Sequence, residues 1–207
     1  MKDIIDVSRY QGTIDWSRLT GKIGGAMLKT ASTNKSFGGL YIDPRFERNY
    51  AECRRLGIPV GAYYYTYAQD DAAARAELDK LHQALEGKTF TLPIAVDVED
   101  NKLKPLSADA LTGLVIQAAD TIESWGLYAM VYTYTYYSQT ELQMDRLAPY
   151  DLWIADYRGT RPDRKHGMWQ YTSTGQLEGI AGNVDISHAY KEYPSIIARA
   201  GLTCLRG

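Results

Sequence analysis

The sequence predicts an α/β fold: an incomplete β/α barrel of eight strands and roughly five helices, formed by one domain over residues 1–207. Two observations lead there. Short apolar runs alternate with helical patterns along the chain, which argues for parallel strands joined by right-handed crossovers. The strand candidates also number eight, enough for the sheet to close on itself.

In chain order the strand candidates are IIDVS (4–8), GAMLKT (25–30), PVGAYYYTY (59–67), LPIAVDVE (92–99), YAMVYTYTYY (128–137), LWIADY (152–157), MWQYTS (168–173) and NVDIS (183–187). Each is a run of apolar, β-branched or aromatic residues bounded by Gly, Pro, Asn or Asp. Helical spacing covers 44–57, 70–87, 107–126 and 193–201. Ser107 is placed to cap the third helix, and Gly57, Gly87, Gly126 and Gly201 stand where helices stop. In the third helix Leu111, Leu114, Val115, Ala118, Ala119 and Ile122 form one core stripe. The connections between 138 and 183 are too short for a full helix each, so some late strands are expected to join through hairpin-like loops.

Composition narrows the function. Hydrophobic residues make up 45% and charged residues 23%, ordinary globular values. A net charge of −2, with acids and bases mixed, gives no electrostatic case for nucleic acid or an anionic membrane surface. No apolar run approaches the ~20 residues of a membrane span, and the first residues show no secretory h-region. Cys53 and Cys204 are too few and too far apart for a disulfide scaffold, and His82, His166 and His188 are scattered, so no metal is expected. The basic loop 158–167, RGTRPDRKHG, reads as solvated or as a contact for an acidic polymer. Tyrosine outnumbers phenylalanine 17 to 3. Tyr fills strands, but it also offers an apolar face and a hydroxyl to a sugar.

The chemistry lies in acids that stand where a strand calls for apolar side chains. Side chains alternate along a strand. In 92–99, Leu92, Ile94, Val96 and Val98 share the face that packs on helices. Ala95, Asp97 and Glu99 share the other, with both acids at the C-terminal end, where barrels of this kind carry their sites. The first and last strands repeat the pattern. Asp6 and Ser8 oppose Ile5 and Val7, and Asp185 and Ser187 oppose Val184 and Ile186. These strands become neighbours on closure, so Asp6, Asp97, Glu99 and Asp185 are expected at one mouth. Acids at strand ends can cap helices or pair with bases, and such oxygens can also cage a divalent cation. Like-charge crowding instead keeps one carboxyl protonated while others ionise, the division that glycoside hydrolysis needs.

The stretches DVSRYQGTIDW (6–16), VGAYYYTYA (60–68), PIAVDVED (93–100), LWIADY (152–157) and WQYTSTGQLEGIAGNVDIS (169–187) resemble the lysozymes of glycoside hydrolase family 25, in family order and over nearly the whole chain. The resemblance implies a modified, flattened β/α barrel. It also implies an N-acetylmuramidase that cleaves the β-1,4 bond between N-acetylmuramic acid and N-acetylglucosamine in peptidoglycan, without a cofactor. On this resemblance Glu99 matches the general acid, Asp97 its partner, and Asp6 and Asp185 the flanking acids. Tyr64 and Tyr65 depart from the His-containing pattern common after GAY. Tyr63, Tyr65, Tyr132, Trp153, Tyr157 and Trp169 are candidates for sugar stacking. Two alternatives stand beside this reading: a chitinase-like hydrolase, and a non-catalytic wall-binding module. A wall-cutting enzyme without a signal peptide resembles a phage or prophage endolysin. Such an enzyme is made in the cytoplasm and reaches the peptidoglycan glycan strand through a holin-type partner.

Overall fold

A computed structural model describes residues 3–206; Met1, Lys2 and Gly207, the ends of the expected domain, lie outside them. Among the described residues ten strands and five α-helices follow in chain order: β1 (Ile4–Val7), β2 (Gly25–Lys29), β3 (Ala31–Asn34), β4 (Gly39–Ile42), α1 (Phe46–Arg55), β5 (Val60–Tyr65), α2 (Asp71–Leu85), β6 (Ile94–Asp97), α3 (Ala108–Ser124), β7 (Ala129–Tyr134), α4 (Thr135–Thr140), β8 (Asp151–Ala155), β9 (Met168–Gly175), β10 (Val184–Ala189) and α5 (Tyr193–Ala200). Eight of the strands close a barrel in the order β1-β10-β9-β8-β7-β6-β5-β2. They are the eight expected. Pairing is parallel from β1 through β2 and round to β9, whereas β10 is antiparallel to both β9 and β1. The late hairpin connection is thus between β9 and β10.

Alternation sorts the side chains as the sequence implies. Ile5, Val7, Ala62, Tyr64, Ile94, Val96 and Val131 pack outward against Leu78, Leu81, Leu111, Val115 and Ile122 of α2 and α3. Ile4, Met27, Ala95, Met130, Trp153 and Met168 fill the barrel. The interior is tight. A Cβ on the inward-facing Gly61 would stand 2.5 Å from the Pro93 carbonyl oxygen and 2.6 Å from Met27 Sδ, so only glycine lets β5 lie this close. Ser107 caps α3 by accepting the Ala110 N–H (3.1 Å), and Gly201 ends α5 at φ 66°. In the α3 stripe Leu114 is only half-buried, and Thr112 takes a fully buried place.

Two elements differ from the expectation. The tyrosine-rich run 128–137 breaks after Tyr134, and its end becomes α4. Tyr favours strands only where it has a strand to pair with. Here Tyr137 instead turns inward and donates to the Asp100 carbonyl (3.1 Å). Residues 31–42, which show no strand signal, form the β3–β4 hairpin, separate from the barrel sheet and turned at Gly38 and Gly39, both with positive φ. Cys53 and Cys204 are free, the first buried and the second exposed. Among the described residues no helix is long and apolar enough to cross a membrane.

Candidate active site

Four acids meet at the C-terminal mouth of the parallel strands. Asp6 stands directly opposite Asp185 across the antiparallel β1–β10 pair. The β9–β10 register shifts on both sides of Ile186, and such irregularities re-aim the side chains beside them. β6 ends at Asp97, one turn of the pleat before Glu99. The Val98 N–H still donates to the Tyr132 carbonyl (3.0 Å), so the extended geometry persists and Glu99 points the same way as Asp97. All four acids line one cleft of about 190 Å³. A neighbouring cavity of about 380 Å³ shares Glu99 and Tyr132 with it.

The expected aromatics divide. Tyr63, Tyr65, Tyr132 and Trp153 line the cleft. Trp153 is its floor rather than a free stacking face: it is 2% exposed, packs edge-on against Tyr132 at 4.6 Å, and donates to Ser187 Oγ (3.0 Å). Tyr157 lines the neighbouring cavity and is 52% exposed. Trp169 is not among the cleft-lining residues. It faces out of the barrel, buried with Leu152 and Ile154, and its indole N–H donates to the Asp156 carbonyl (2.8 Å). Alternation on β9 places its neighbour Gln170 inside instead.

Gln170 is a cleft residue that sequence reasoning missed. Its amide donates to Asp6 Oδ2 (2.8 Å), and its carbonyl oxygen accepts from Tyr132 (2.9 Å) and Tyr157 (2.6 Å). One side chain thereby couples the flanking acid to the aromatic wall. Lys29 was also missed, although its place after Gly25-Ala26-Met27-Leu28 puts it on the inward face with Met27. It lies at the end of β2 with its ammonium 4.9 Å from the Tyr65 ring centroid. Asp43, at the foot of the hairpin, accepts the Arg9 N–H (3.0 Å) and the Arg45 N–H (2.9 Å).

Electrostatics follow from burial. Burial pushes the Glu99 carboxyl up to about 7; Lys29 works against that rise, while Asp185 and Asp100 add to it. Asp97 is enclosed more completely, and burial and then the charge of Glu99 hold it well above the usual carboxylate range, with Lys29 opposing. Burial and then Asp185 raise Asp6 strongly; Asp185 itself rises less, because its hydrogen bond with Asp6 favours its charge. Of the two, Asp6 is the one pushed more strongly towards its neutral form. Burial lowers Lys29, while Asp97 and Asp43 hold its charge. One polar atom is left unmatched: Asp97 Oδ1 is buried and accepts no hydrogen bond. A buried orphan acceptor costs about 1–3 kcal/mol. Among the described residues no group of three or more His, Cys, Asp or Glu side chains is arranged to hold a metal ion.

Two arginines of the basic loop have partners within the chain. Arg158 pairs with Asp156, and Arg161 lies over the Tyr190 ring at 3.9 Å and donates to His166.

Carbohydrate-cleaving enzymes are one class that gathers acids at the C-terminal ends of barrel strands. Residues 5–180 match the sequence profile of Glycosyl hydrolases family 25, and the chain belongs to that family. The uncharacterized protein YegX of Escherichia coli K12 is 33% identical over 189 residues, covering 88% of this chain and 67% of YegX. The autolytic lysozyme of Clostridium acetobutylicum is 27% identical over 184 residues, 88% of this chain and 54% of that protein. The modular autolysin LytC of Streptococcus pneumoniae superposes with a TM-score of 0.79 at 28% identity, over 90% of this chain and 46% of LytC. LytC has also been solved in complex with a synthetic peptidoglycan ligand. The chain thus spans about half the length of LytC and of the Clostridium enzyme.

Proposed function

We propose that this protein is an N-acetylmuramidase that hydrolyses the β-1,4 bond between N-acetylmuramic acid and N-acetylglucosamine in peptidoglycan. Glu99 is the general acid and Asp97 its partner. The observation that carries the reading is the pair itself: a carboxyl raised to about 7, two residues along one face from a buried carboxyl whose Oδ1 has no hydrogen-bond donor. Family membership and a relative solved with a peptidoglycan ligand support the substrate class. The deciding experiment is a turbidity assay on purified bacterial walls, with product masses. Muramic acid at the new reducing ends supports the proposal; cleavage of chitin with walls untouched favours the chitinase reading, and binding without cleavage the wall-binding module. The holin-dependent route to the wall belongs to the same proposal and is tested by lysis on co-expression with and without a holin.

The steps follow from the site. Glu99 protonates the leaving glycosidic oxygen and then takes the proton of the incoming water. Burial and the charge of Glu99 favour the neutral form of Asp97. A sugar in the cleft works against that. The N–H of a 2-acetamido group is a donor of the kind Asp97 Oδ1 lacks, and such a bond favours the charged carboxylate. Asp97 then orients the acetamide, whose oxygen attacks the anomeric carbon. The alternative, attack by Asp97 itself, leaves that N–H unused. Lys29 supplies a fixed positive charge beside both acids.

Two predictions arise here. The kcat/KM–pH profile is expected to fall on its alkaline side near pH 7, where the free enzyme's Glu99 loses its proton. Lys29→Met removes a charge that holds Glu99 down, so that limb moves to higher pH while maximal activity falls. An unmoved limb places Lys29 outside the acid's field. The second prediction concerns the flanking pair. Asn mimics a protonated Asp, so Asp6→Asn is expected to cost only a few-fold in kcat. Asp185→Asn removes a charge and is expected to cost about 10- to 100-fold, the equivalent of one charged hydrogen bond in the transition state. Equal, large losses at both positions contradict a neutral Asp6 beside a charged Asp185.

A further inference from the structure

A second group of aromatics stands outside the cleft, on the β3–β4 hairpin and the turn after β1. Phe37, at the hairpin tip, is 43% exposed, and its ring stacks on Tyr41 at 4.4 Å with an 11° interplanar angle. The Arg9 guanidinium lies 5.0 Å from the Phe37 ring centroid and 4.3 Å from that of Tyr10. It also donates to the Tyr10 hydroxyl (2.8 Å). Tyr10 is 72% exposed, yet it also lines the catalytic cleft. Its position is built rather than loose. Ser8 and Gln11 form a reciprocal cap on its turn, and Asp43 fastens the Arg9 backbone to the foot of the hairpin.

An aromatic surface therefore starts at the cleft, passes over Arg9 and ends on Phe37. Leaving ring faces in water forgoes the free energy of burying them, and contiguous exposed apolar surface marks a binding site. The C–H face of a pyranose ring fits a flat aromatic. An arginine held between two rings presents donors at their edges to sugar oxygens. We propose that Phe37, Arg9 and Tyr10 form an outer subsite for an N-acetylhexosamine residue of the same glycan strand, beyond the sugars held in the cleft. The proposal rests on the glycan-cleaving reading above. It makes the β3–β4 hairpin a device for choosing long strands over short fragments.

The test uses Phe37→Ala, at a position outside the catalytic cleft, and peptidoglycan glycans of four and of eight or more sugars. Stacking on one aromatic contributes about two- to ten-fold in affinity. For the longer glycan KM is expected to rise by that factor with kcat unchanged, while both constants hold for the tetrasaccharide. Phe37→Trp restores the length preference. A Phe37→Ala enzyme that keeps the wild-type length preference overturns the subsite, as does an equal loss on both lengths. A wild-type protein that cleaves neither length overturns the functional reading itself, a result distinct from both because it does not depend on Phe37.

Discussion

Glu99→Gln is expected to bring wall lysis to near background. The substitution keeps the shape of the side chain and removes its titratable proton. General acid–base assistance contributes about 100- to 10,000-fold, and an alkoxide leaving group puts this case at the upper end. Binding of chitooligosaccharide is expected to survive, because the cleft-lining aromatics and Gln170 are untouched. Stability carries a separate signature. The folded state holds this proton up to about pH 7, against 4.5 for an ordinary glutamate. The resulting stabilisation is present in full below about pH 4.5 and is lost as pH rises through about 7, an effect of about 3 kcal/mol at most. Gln carries no charge to bury, so the variant is expected to melt higher than the wild type at pH 8, with little difference at pH 4. A variant that clears walls at the wild-type rate removes Glu99 from the mechanism.

Asp97→Asn is expected to be nearly as severe, about 100- to 1,000-fold in kcat, with a different fingerprint. Asn offers an oxygen to the acetamide N–H but no negative charge to the developing oxazolinium ion. Electrostatic stabilisation of this kind is often the largest catalytic term. A thiazoline analogue of the intermediate is expected to inhibit the wild type strongly and the variant weakly. A slow substrate used as a trap is expected to leave no glycosyl adduct on Asp97. An adduct seen by mass spectrometry would reassign Asp97 as the nucleophile and the acetamide as a bystander. Both variants are expected to fold, since each replaces a buried carboxyl by a neutral amide of nearly the same shape.

Much of this site can be read from alternation within strands. Asp97 and Glu99 are visible because Ile94, Val96 and Val98 leave them no place on the helix-packed face. Asp6 and Asp185 follow by the same rule, with closure bringing β1 beside β10. The rule also contained Lys29 and Gln170. A lysine at a strand end and a glutamine beside a tryptophan look like ordinary surface residues until the barrel closes around them. Trp169 shows the opposite error: its size and chemistry suggested sugar stacking, but its parity on β9 turns it away from the cleft. The β3–β4 hairpin left no signal, because a short two-stranded unit draws its stability from the residues it packs on. The run ending in α4 misled because tyrosine's strand preference reflects packing surroundings rather than backbone chemistry.

Period-two alternation is covalent geometry, present in every extended segment, so it assigns carboxylates to the inner face before any tertiary contact exists. Helical spacing likewise sets where α1, α2, α3 and α5 lie, with side-chain caps at the start of α2 and α3. Which acid keeps a proton depends instead on distances between residues remote in the chain. Asp185 raises Asp6 across 179 residues of sequence, Lys29 reaches Glu99 across the barrel mouth, and Gln170 ties Asp6 to Tyr132. Desolvation and charge–charge energies exist only once the barrel has closed and excluded water. The pattern of the chain therefore specifies the carboxylates as a set, while the enclosed geometry of the mouth decides how each one's proton affinity is shifted.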